Sequence, residues 1–194
     1  FSTLAPLVPD LHLVAIDLTG HGRSQHRPPG AAHHFVDWVP EVVAAADALG
    51  WETFCLIGHS MGAGISSLIP AAFPDRVRRA VLLEGVGPMA AAAETAAHQL
   101  VSALEDEAKL RSAEPRVFPD LEAAITARQR NTDLGSEAAR RLVERGTEAV
   151  AGGVRFTHDP RLKTRSRSRF TEHQVHAFLA AIECPVLAIG ARQG

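Results

Sequence analysis

The chain has 194 residues, of which 46% are hydrophobic, and its formal net charge at pH 7 is -2. This much apolar material supports a folded core and excludes a disordered chain as the starting expectation. A nearly neutral protein has little electrostatic attraction for nucleic acid or an anionic membrane, so we expect neither partner and favour a small-molecule substrate. The sequence does not indicate an oligomeric state.

Two cysteines, Cys55 and Cys184, each lie in a short apolar run. A thiol in such a run behaves as a small buried hydrophobe, so we predict two reduced core residues. The spacing of Cys and His does not match a zinc site, and no metal is predicted. The sequence has no apolar stretch of about 18 residues, and its start does not resemble a signal peptide. These features predict a cytoplasmic protein.

The first predicted element is a buried parallel strand over residues 11–17 (LHLVAID), which ends at an acidic residue before TGHG. A loop follows, with the turn residues PPG at 28–30. From Phe35 the apolar residues recur at helical spacing until Gly50, so a helix is predicted there.

A strand, a helix and a strand are predicted next, over residues 53–57, 61–72 and 77–83. Three such elements within some thirty residues form a βαβ unit. The expected result is a parallel sheet with right-handed crossovers.

The pattern changes to successive amphipathic helices over residues 89–182, broken by proline and glycine at positions 115, 119, 135 and 152–153. The longest strand-like alternation in that region is 154–156. Residues 185–189 (PVLAI) return to a strand pattern, so the predicted organisation is an α/β core over 1–88 and 183–194 with a helical insertion over 89–182. Apolar residues at helical spacing in the insertion are expected to pack in its core rather than to line a pocket: Leu100, Leu104, Phe118, Leu121, Ile125 and Phe178.

A basic segment, RLKTRSRSR, occupies residues 161–169. It is compatible with an anion or nucleic-acid site, but a solvated basic loop is the more common explanation for such a run. The acidic balance of the whole chain favours the loop.

The strongest chemical signal is Gly58-His59-Ser60-Met61-Gly62, which matches G-x-S-x-G between a predicted strand and a predicted helix. In this setting the serine lies at a sharp, strained turn, and the flanking glycines remove side chains that would collide there. The exposed hydroxyl of Ser60 is the predicted nucleophile. The amide of Met61 begins the helix and is placed to donate to a developing oxyanion.

Two other interpretations of these glycines are weaker. A glycine-rich turn with a chance serine would not require a strand before it and a helix after it. A nucleotide site would require G-x-G-x-x-G or G-x-x-x-x-G-K-[ST], and the sequence contains neither pattern.

The runs DLTGHGRS and CLIGHSMGAGIS resemble the α/β-hydrolase superfamily. The segments RLVERGTEAVAGGVRFTHDPRL and FTEHQVHAFLAAIECPVL resemble its serine hydrolase-like branch more specifically. The resemblance extends over nearly the whole chain and implies an α/β-hydrolase fold: an incomplete parallel sheet with flanking helices, and residues 89–182 as a cap over the substrate pocket. In that superfamily a glycine-rich oxyanion loop precedes DLTGHGRS and a histidine follows the last strand. Neither region is present here, so we expect a piece of a longer protein.

The resemblance also implies a triad in the chain order serine, acid, histidine. Two sources of the acid stay open: Glu84, which ends the strand after the nucleophile helix, or a residue beyond position 194. Asp17 precedes the nucleophile and is interpreted as a residue that anchors its loop. The histidines after Ser60 are expected to be surface or packing residues of the cap, which places the base outside the chain; they are His98, His158, His173 and His176.

The predicted function is a serine hydrolase that acts on an ester or related acyl bond through an acyl-enzyme at Ser60, without a cofactor. Carbon–carbon bond hydrolysis and perhydrolysis use the same serine and stay open. The alternative is a non-catalytic binding or scaffold protein that keeps the fold, because fold alone does not establish activity. The sequence does not identify the substrate.

Overall fold

The computed structural model describes residues 4–130, 132 and 134–191. In this part of the chain the helices are α1 Trp38–Ala48, α2 Met61–Ala72, α3 Ala96–Arg111, α4 Leu121–Arg130, α5 Ser136–Gly146 and α6 Glu172–Ala180. The strands are β1 Phe54–His59, β2 Val77–Leu83, β3 Thr147–Val150, β4 Gly153–Phe156 and β5 Val186–Ile189. The chain forms two compact units, a smaller one from Phe1–His26 and Arg116–His158 and a larger one from Arg27–Pro115 and Asp159–Gly194.

The larger unit contains a parallel sheet in the order β1-β2-β5, flanked by helices. Its β1-α2-β2 segment is the predicted βαβ unit, and α2 and β2 have the predicted bounds. Side chains of α2 pack on the sheet with little exposure, as Ile65, Leu68 and Ile69 are 2%, 3% and 0% exposed. Burying this apolar face stabilises the unit by about 1.5–3 kcal/mol for each large aliphatic side chain.

The smaller unit contains α4, α5 and an antiparallel hairpin of β3 and β4. Its core is a cluster of residues between these elements: Phe118, Ala124, Ile125, Ala139 and Val143. The chain at Phe118 exchanges two 2.8 Å hydrogen bonds with Val154, which adds a third segment to the hairpin. The hairpin turns at Gly152, whose φ of 85° favours glycine. The sequence predicted strand character only for residues 154–156, and β3 was not predicted.

The predicted strand over residues 11–17 is wrong, since this segment forms no β-ladder with any described residue. Its apolar side chains are not buried either, as Val14 and Ile16 are 39% and 42% exposed. A strand needs a neighbouring backbone to satisfy its N–H and C=O groups, and none of the described segments supplies one here.

Two predictions about burial are also wrong. Cys55 is exposed because side chains alternate along β1 and it lies on the face opposite the buried Phe54 and Leu56. Cys184 is half-buried, and both thiols are free. Burial raises the pKa of the Cys184 thiol. In the insertion the prediction is wrong only in part: Leu100 and Leu104 are exposed on α3, whereas Phe118 and Ile125 are buried as predicted. Spacing alone does not reveal whether another element covers a helix face.

None of the helices in the described part of the chain is long and apolar enough to cross a membrane.

Candidate active site

Ser60 lies at the sharp turn between β1 and α2, at the carboxyl end of the sheet. Its φ of 52° and ψ of -115° place it in the left-handed region, which costs a residue with a side chain about 1–3 kcal/mol. Its N–H donates to Leu83 O at 2.8 Å, so the ladder with β2 extends into the turn. The residue is exposed and its hydroxyl does not cap α2. The Ser60 hydroxyl oxygen is therefore not engaged in a capping hydrogen bond to α2.

The two glycines of the motif have different roles. A Cβ on Gly58 would lie 2.6 Å from the carbonyl carbon of Gly62 and 2.7 Å from Ala63 Cα, both on α2. A Cβ on Gly62 would meet no described atom within 4 Å. The prediction that a side chain would collide at the flanking glycines is therefore confirmed for Gly58 and wrong for Gly62.

Met61 is the first residue of α2. The first N–H groups of a helix have no acceptor within the helix, and the helix dipole makes that end favourable for negative charge. Ala63 and Gly64 donate to Ser60 O at 3.0 and 3.1 Å, which fixes the direction of this first turn. The Met61 N–H therefore lies among these N-terminal groups of α2, next to Ser60.

Glu84 follows β2 directly and lies beside Ser60, because the register pairs His59 with Leu83. Its φ is also 52°, so two neighbouring strands end in residues with left-handed backbone. The Glu84 N–H donates to Ile189 O at 2.9 Å, and its carboxylate accepts a hydrogen bond from the Ala191 N–H. Glu84 is exposed and held at the carboxyl end of β5. Glu84 and Ala191 are 107 positions apart, and the sequence did not indicate that they are in contact.

The histidines that follow Ser60 lie elsewhere, and none in the described part of the chain hydrogen-bonds to Ser60. His98 is exposed on α3, and His173 and His176 are exposed on α6. His158 packs near the ring of Phe156, at 5.4 Å between centroids.

Asp17 is the centre of a polar cluster in the smaller unit. Arg145 donates two hydrogen bonds to its carboxylate, at 2.8 and 2.9 Å, and the Arg23 N–H donates a third at 3.1 Å. The hydrogen bonds from Arg145 hold the pKa of Asp17 below its usual value. Ser24 donates to the Asp17 carbonyl at 2.6 Å, so Asp17 anchors its loop as predicted. Parts of this cluster line a polar cavity of about 470 Å³ in the same unit.

The basic segment 161–169 is largely paired. Within the described residues, three of its five cations bind carboxylates, in the pairs Arg161–Asp159, Arg165–Asp106 and Arg167–Glu107. These pairs attach the segment to α3 and to a buried aspartate. The segment is therefore held by ion pairs and is not the solvated loop that the sequence predicted.

Like the contact between Glu84 and Ala191, the contact between His33 and Asp159 has no signal in the sequence, because the two residues are 126 positions apart. Both side chains are almost completely buried, at 3% and 2% exposure. A histidine before a helix and an aspartate in a loop are each unremarkable by themselves, and only the fold brings them together.

The sequence matches the alpha/beta hydrolase fold family over residues 1–194. It is 31% identical to a serine hydrolase-like protein of Dictyostelium discoideum over 97% of this chain and 55% of that protein. A crystal structure of a hypothetical protein from Pseudomonas aeruginosa is 39% identical, with a TM-score of 0.86 over 91% of this chain and 63% of that one. A thioesterase domain from the curacin biosynthetic pathway is 28% identical, with a TM-score of 0.70 over 88% of this chain and 60% of that one. The chain thus spans 55–63% of the length of these three proteins.

Proposed function

The chain belongs to the α/β-hydrolase family, and from this premise we propose that it carries the nucleophile of a serine hydrolase that cleaves an ester or related acyl bond. The observation that carries the proposal is the left-handed Ser60 at the turn between β1 and α2, with an exposed hydroxyl that does not cap the helix. Backbone strain of this kind is concentrated at active sites, ligand-binding sites and switch regions. The assignment of residues 89–182 as the cap is part of the proposal.

The proposed reaction proceeds in two steps. Ser60 Oγ forms a bond to the acyl carbon as a histidine base accepts its proton, and the carbonyl oxygen becomes an oxyanion that the Met61 N–H stabilises. The leaving alcohol or thiol departs with that proton. Water then attacks the acyl-enzyme by the same route and releases the acid and free Ser60. No described histidine is assigned as the base, and the reaction needs no cofactor.

Glu84 is the proposed acid that orients the base. Its position next to Ser60 in the β1-β2 register and its own left-handed backbone support this role. The hydrogen bond from the Ala191 N–H would hold the carboxylate at the carboxyl end of the sheet. An acid that follows residue 194 is the competing assignment.

An acyl substrate receives support from one structural neighbour, the thioesterase domain from the curacin pathway. The name of that domain indicates a thioester substrate for it. For this chain we propose the wider class of carboxylic esters and thioesters. Hydrolysis of a carbon–carbon bond would use the same nucleophile.

A non-catalytic binding protein is the second candidate. One observation favours it: no described histidine hydrogen-bonds to Ser60. In that case the elbow would be kept as a structural turn, and Ser60 would have no activated oxygen.

Labelling of the full-length protein with a fluorophosphonate probe separates the two candidates, because only an activated serine reacts quickly at neutral pH. We expect labelling of the parent protein, its loss in Ser60→Ala, and its retention in Ser112→Ala, which removes an exposed hydroxyl on the surface. Equal labelling of Ser60→Ala and the parent would refute the nucleophile, and absence of labelling in the folded parent would favour the binding protein.

The acid is tested by turnover of a thioester and an ester of one acyl chain. Glu84→Gln should lower kcat by on the order of 10³-fold or more if Glu84 orients the base, because a neutral side chain no longer stabilises the imidazolium. Glu183→Gln, an exposed residue just before β5, is the matched control. A loss of less than about tenfold in Glu84→Gln would assign the acid elsewhere.

A further inference from the structure

A buried charged network lies in the larger unit, outside the elbow. His33 Nε2 lies 3.1 Å from Asp159 Oδ2. Arg161 completes the network, since its Nε and Nη2 donate to the two oxygens of Asp159 at 3.0 and 2.7 Å. An isolated buried carboxylate would be costly, whereas one that accepts this many charge-assisted bonds is stable.

The network also fixes the loop before α1. The second terminal nitrogen of Arg161, Nη1, donates to the carbonyls of Pro28 and Ala31 at 2.7 and 2.9 Å, and Nη2 also donates to the carbonyl of Arg27. A loop with two prolines and a glycine makes few backbone bonds of its own. One guanidinium thus organises the loop that leads to His33.

Asp159 determines the orientation of the His33 ring. Burial by itself raises the pKa of Asp159, but hydrogen bonds from Arg161 and His33 outweigh it and hold that pKa well below its usual range. The carboxylate is therefore ionised and His33 Nε2 is the donor. The other ring nitrogen, Nδ1, has no hydrogen-bond partner among the described residues. The ring also stacks on Trp38, with 5.8 Å between ring centroids and an interplanar angle of 17°.

Phe35 connects this loop to the nucleophile. It lies two positions after His33, and its ring meets Trp38 edge-on at 6.1 Å. The ring also lies close to Gly64, where a Cβ would be 2.7 Å from Phe35 Cε1. The Gly64 N–H donates to Ser60 O at 3.1 Å. A continuous series of contacts therefore runs from Asp159 through His33, Trp38 and Phe35 to the first turn of α2.

We propose that Asp159 is a positioning residue for Ser60, which acts by holding His33 against Trp38 so that Phe35, which also packs on Trp38, supports the first turn of α2 at Gly64. This inference rests on the proposed function of Ser60. A displacement of about 1 Å at a nucleophile is enough to slow a reaction up to about 100-fold, so a distant support of this kind has a measurable effect.

The rate constant of fluorophosphonate labelling in the full-length protein tests the proposal. At a temperature where circular dichroism shows each variant folded, Asp159→Asn should label on the order of tenfold more slowly than the parent. Asp106→Asn is the matched control, because Asp106 accepts the same kind of paired bonds from Arg165, at 2.8 and 2.7 Å, on α3. The control should stay within about twofold of the parent. His33→Gln tests the same link if Asp159→Asn does not fold.

A double-mutant cycle distinguishes positioning from a general structural role. Phe35→Leu keeps an apolar side chain but removes the ring on Gly64. If the effect passes through Phe35, then adding Asp159→Asn to Phe35→Leu should slow labelling by less than about twofold. Independent, multiplicative losses would overturn the proposal, as would labelling of Asp159→Asn at the parental rate.

Hydrogen exchange gives a readout that does not depend on activity. The amides of Ala63 and Gly64, which donate to Ser60 O, should exchange at least about tenfold faster in Asp159→Asn and at the parental rate in Asp106→Asn. If Asp159→Asn loses this protection but the probe does not label the parent protein, the proposed function is rejected and the structural link between Asp159 and α2 is kept. Unchanged protection of both amides in Asp159→Asn would reject the link itself.

Discussion

Substitution of Gly58 by alanine should destabilise the protein at the elbow. The new Cβ would lie 2.6 Å from the Gly62 carbonyl carbon, about 0.8 Å short of the 3.4 Å at which ordinary contact begins. The opposing atoms belong to the backbone of α2, so no side-chain rotation relieves the collision and the helix must shift. Overpacking of this kind costs about 1–3 kcal/mol.

The size of the effect can be measured against Gly62→Ala in the same motif. At Gly62 a Cβ meets no described atom within 4 Å, and alanine is favoured over glycine within a helix by about 0.5–1 kcal/mol. We therefore expect Gly58→Ala to lower the free energy of unfolding by about 2 kcal/mol and Gly62→Ala to raise it by about 0.5 kcal/mol.

Thermal unfolding followed by circular dichroism provides the assay. For a protein of this size a loss of about 2 kcal/mol corresponds to a decrease in Tm of about 4–8 °C. If Gly58→Ala matched the parent in Tm, or if Gly62→Ala were the less stable of the two, the distinction between the two glycines would be refuted.

Three further substitutions test the buried contacts. Because the pKa of Asp159 is lowered in the folded state, its ionised form stabilises the fold above about pH 5, and this contribution is lost as the pH falls. Urea titrations should therefore find Asp159→Asn about 3 kcal/mol less stable than the parent at pH 7, and the difference should shrink between about pH 5 and pH 2; a constant difference would contradict this. Val143→Ala, at a residue with 0% exposure, should cost about 2 kcal/mol in urea unfolding, whereas Leu142→Ala, at 51% exposure, should stay within about 0.5 kcal/mol. Gly22→Ala should cost about 2 kcal/mol, since its φ is 52° and its Cβ would lie 2.5 Å from Asp17 Oδ1; a parental urea midpoint would refute that packing.

Helix α2 and the strands on either side could be predicted from the sequence because their signals are local. A helix satisfies its backbone within a few residues, so the run that begins at Met61 specifies its own hydrogen bonds. The G-x-S-x-G spacing adds a turn whose conformation depends on neighbours in the chain, and Ser60 has the strained backbone that was predicted, with a φ of 52°. The interpretation of Gly62 failed because the open space around it depends on what packs against α2.

The strands away from this unit depend on distant partners. Residues 11–17 have an apolar strand pattern, but a pattern does not supply the second backbone that a ladder requires. Strand β3 has a weak pattern and forms because a two-residue turn ending at Gly152 brings β4 beside it. Burial of a strand residue likewise depends on whether a distant segment covers its face of the sheet: Cys55 is exposed, whereas Phe54 and Leu56 on the other face of β1 are buried.

The sequence alone therefore determined the family, the strained turn at Ser60 and the position of Glu84 after its strand. Only the tertiary structure decided which charged side chains meet, as in the pairing of Asp159 with His33 across 126 positions. The reason is physical: a helix or a tight turn is stabilised by groups a few residues apart, whereas a buried ion pair is stabilised only when the fold excludes water from two distant segments at once.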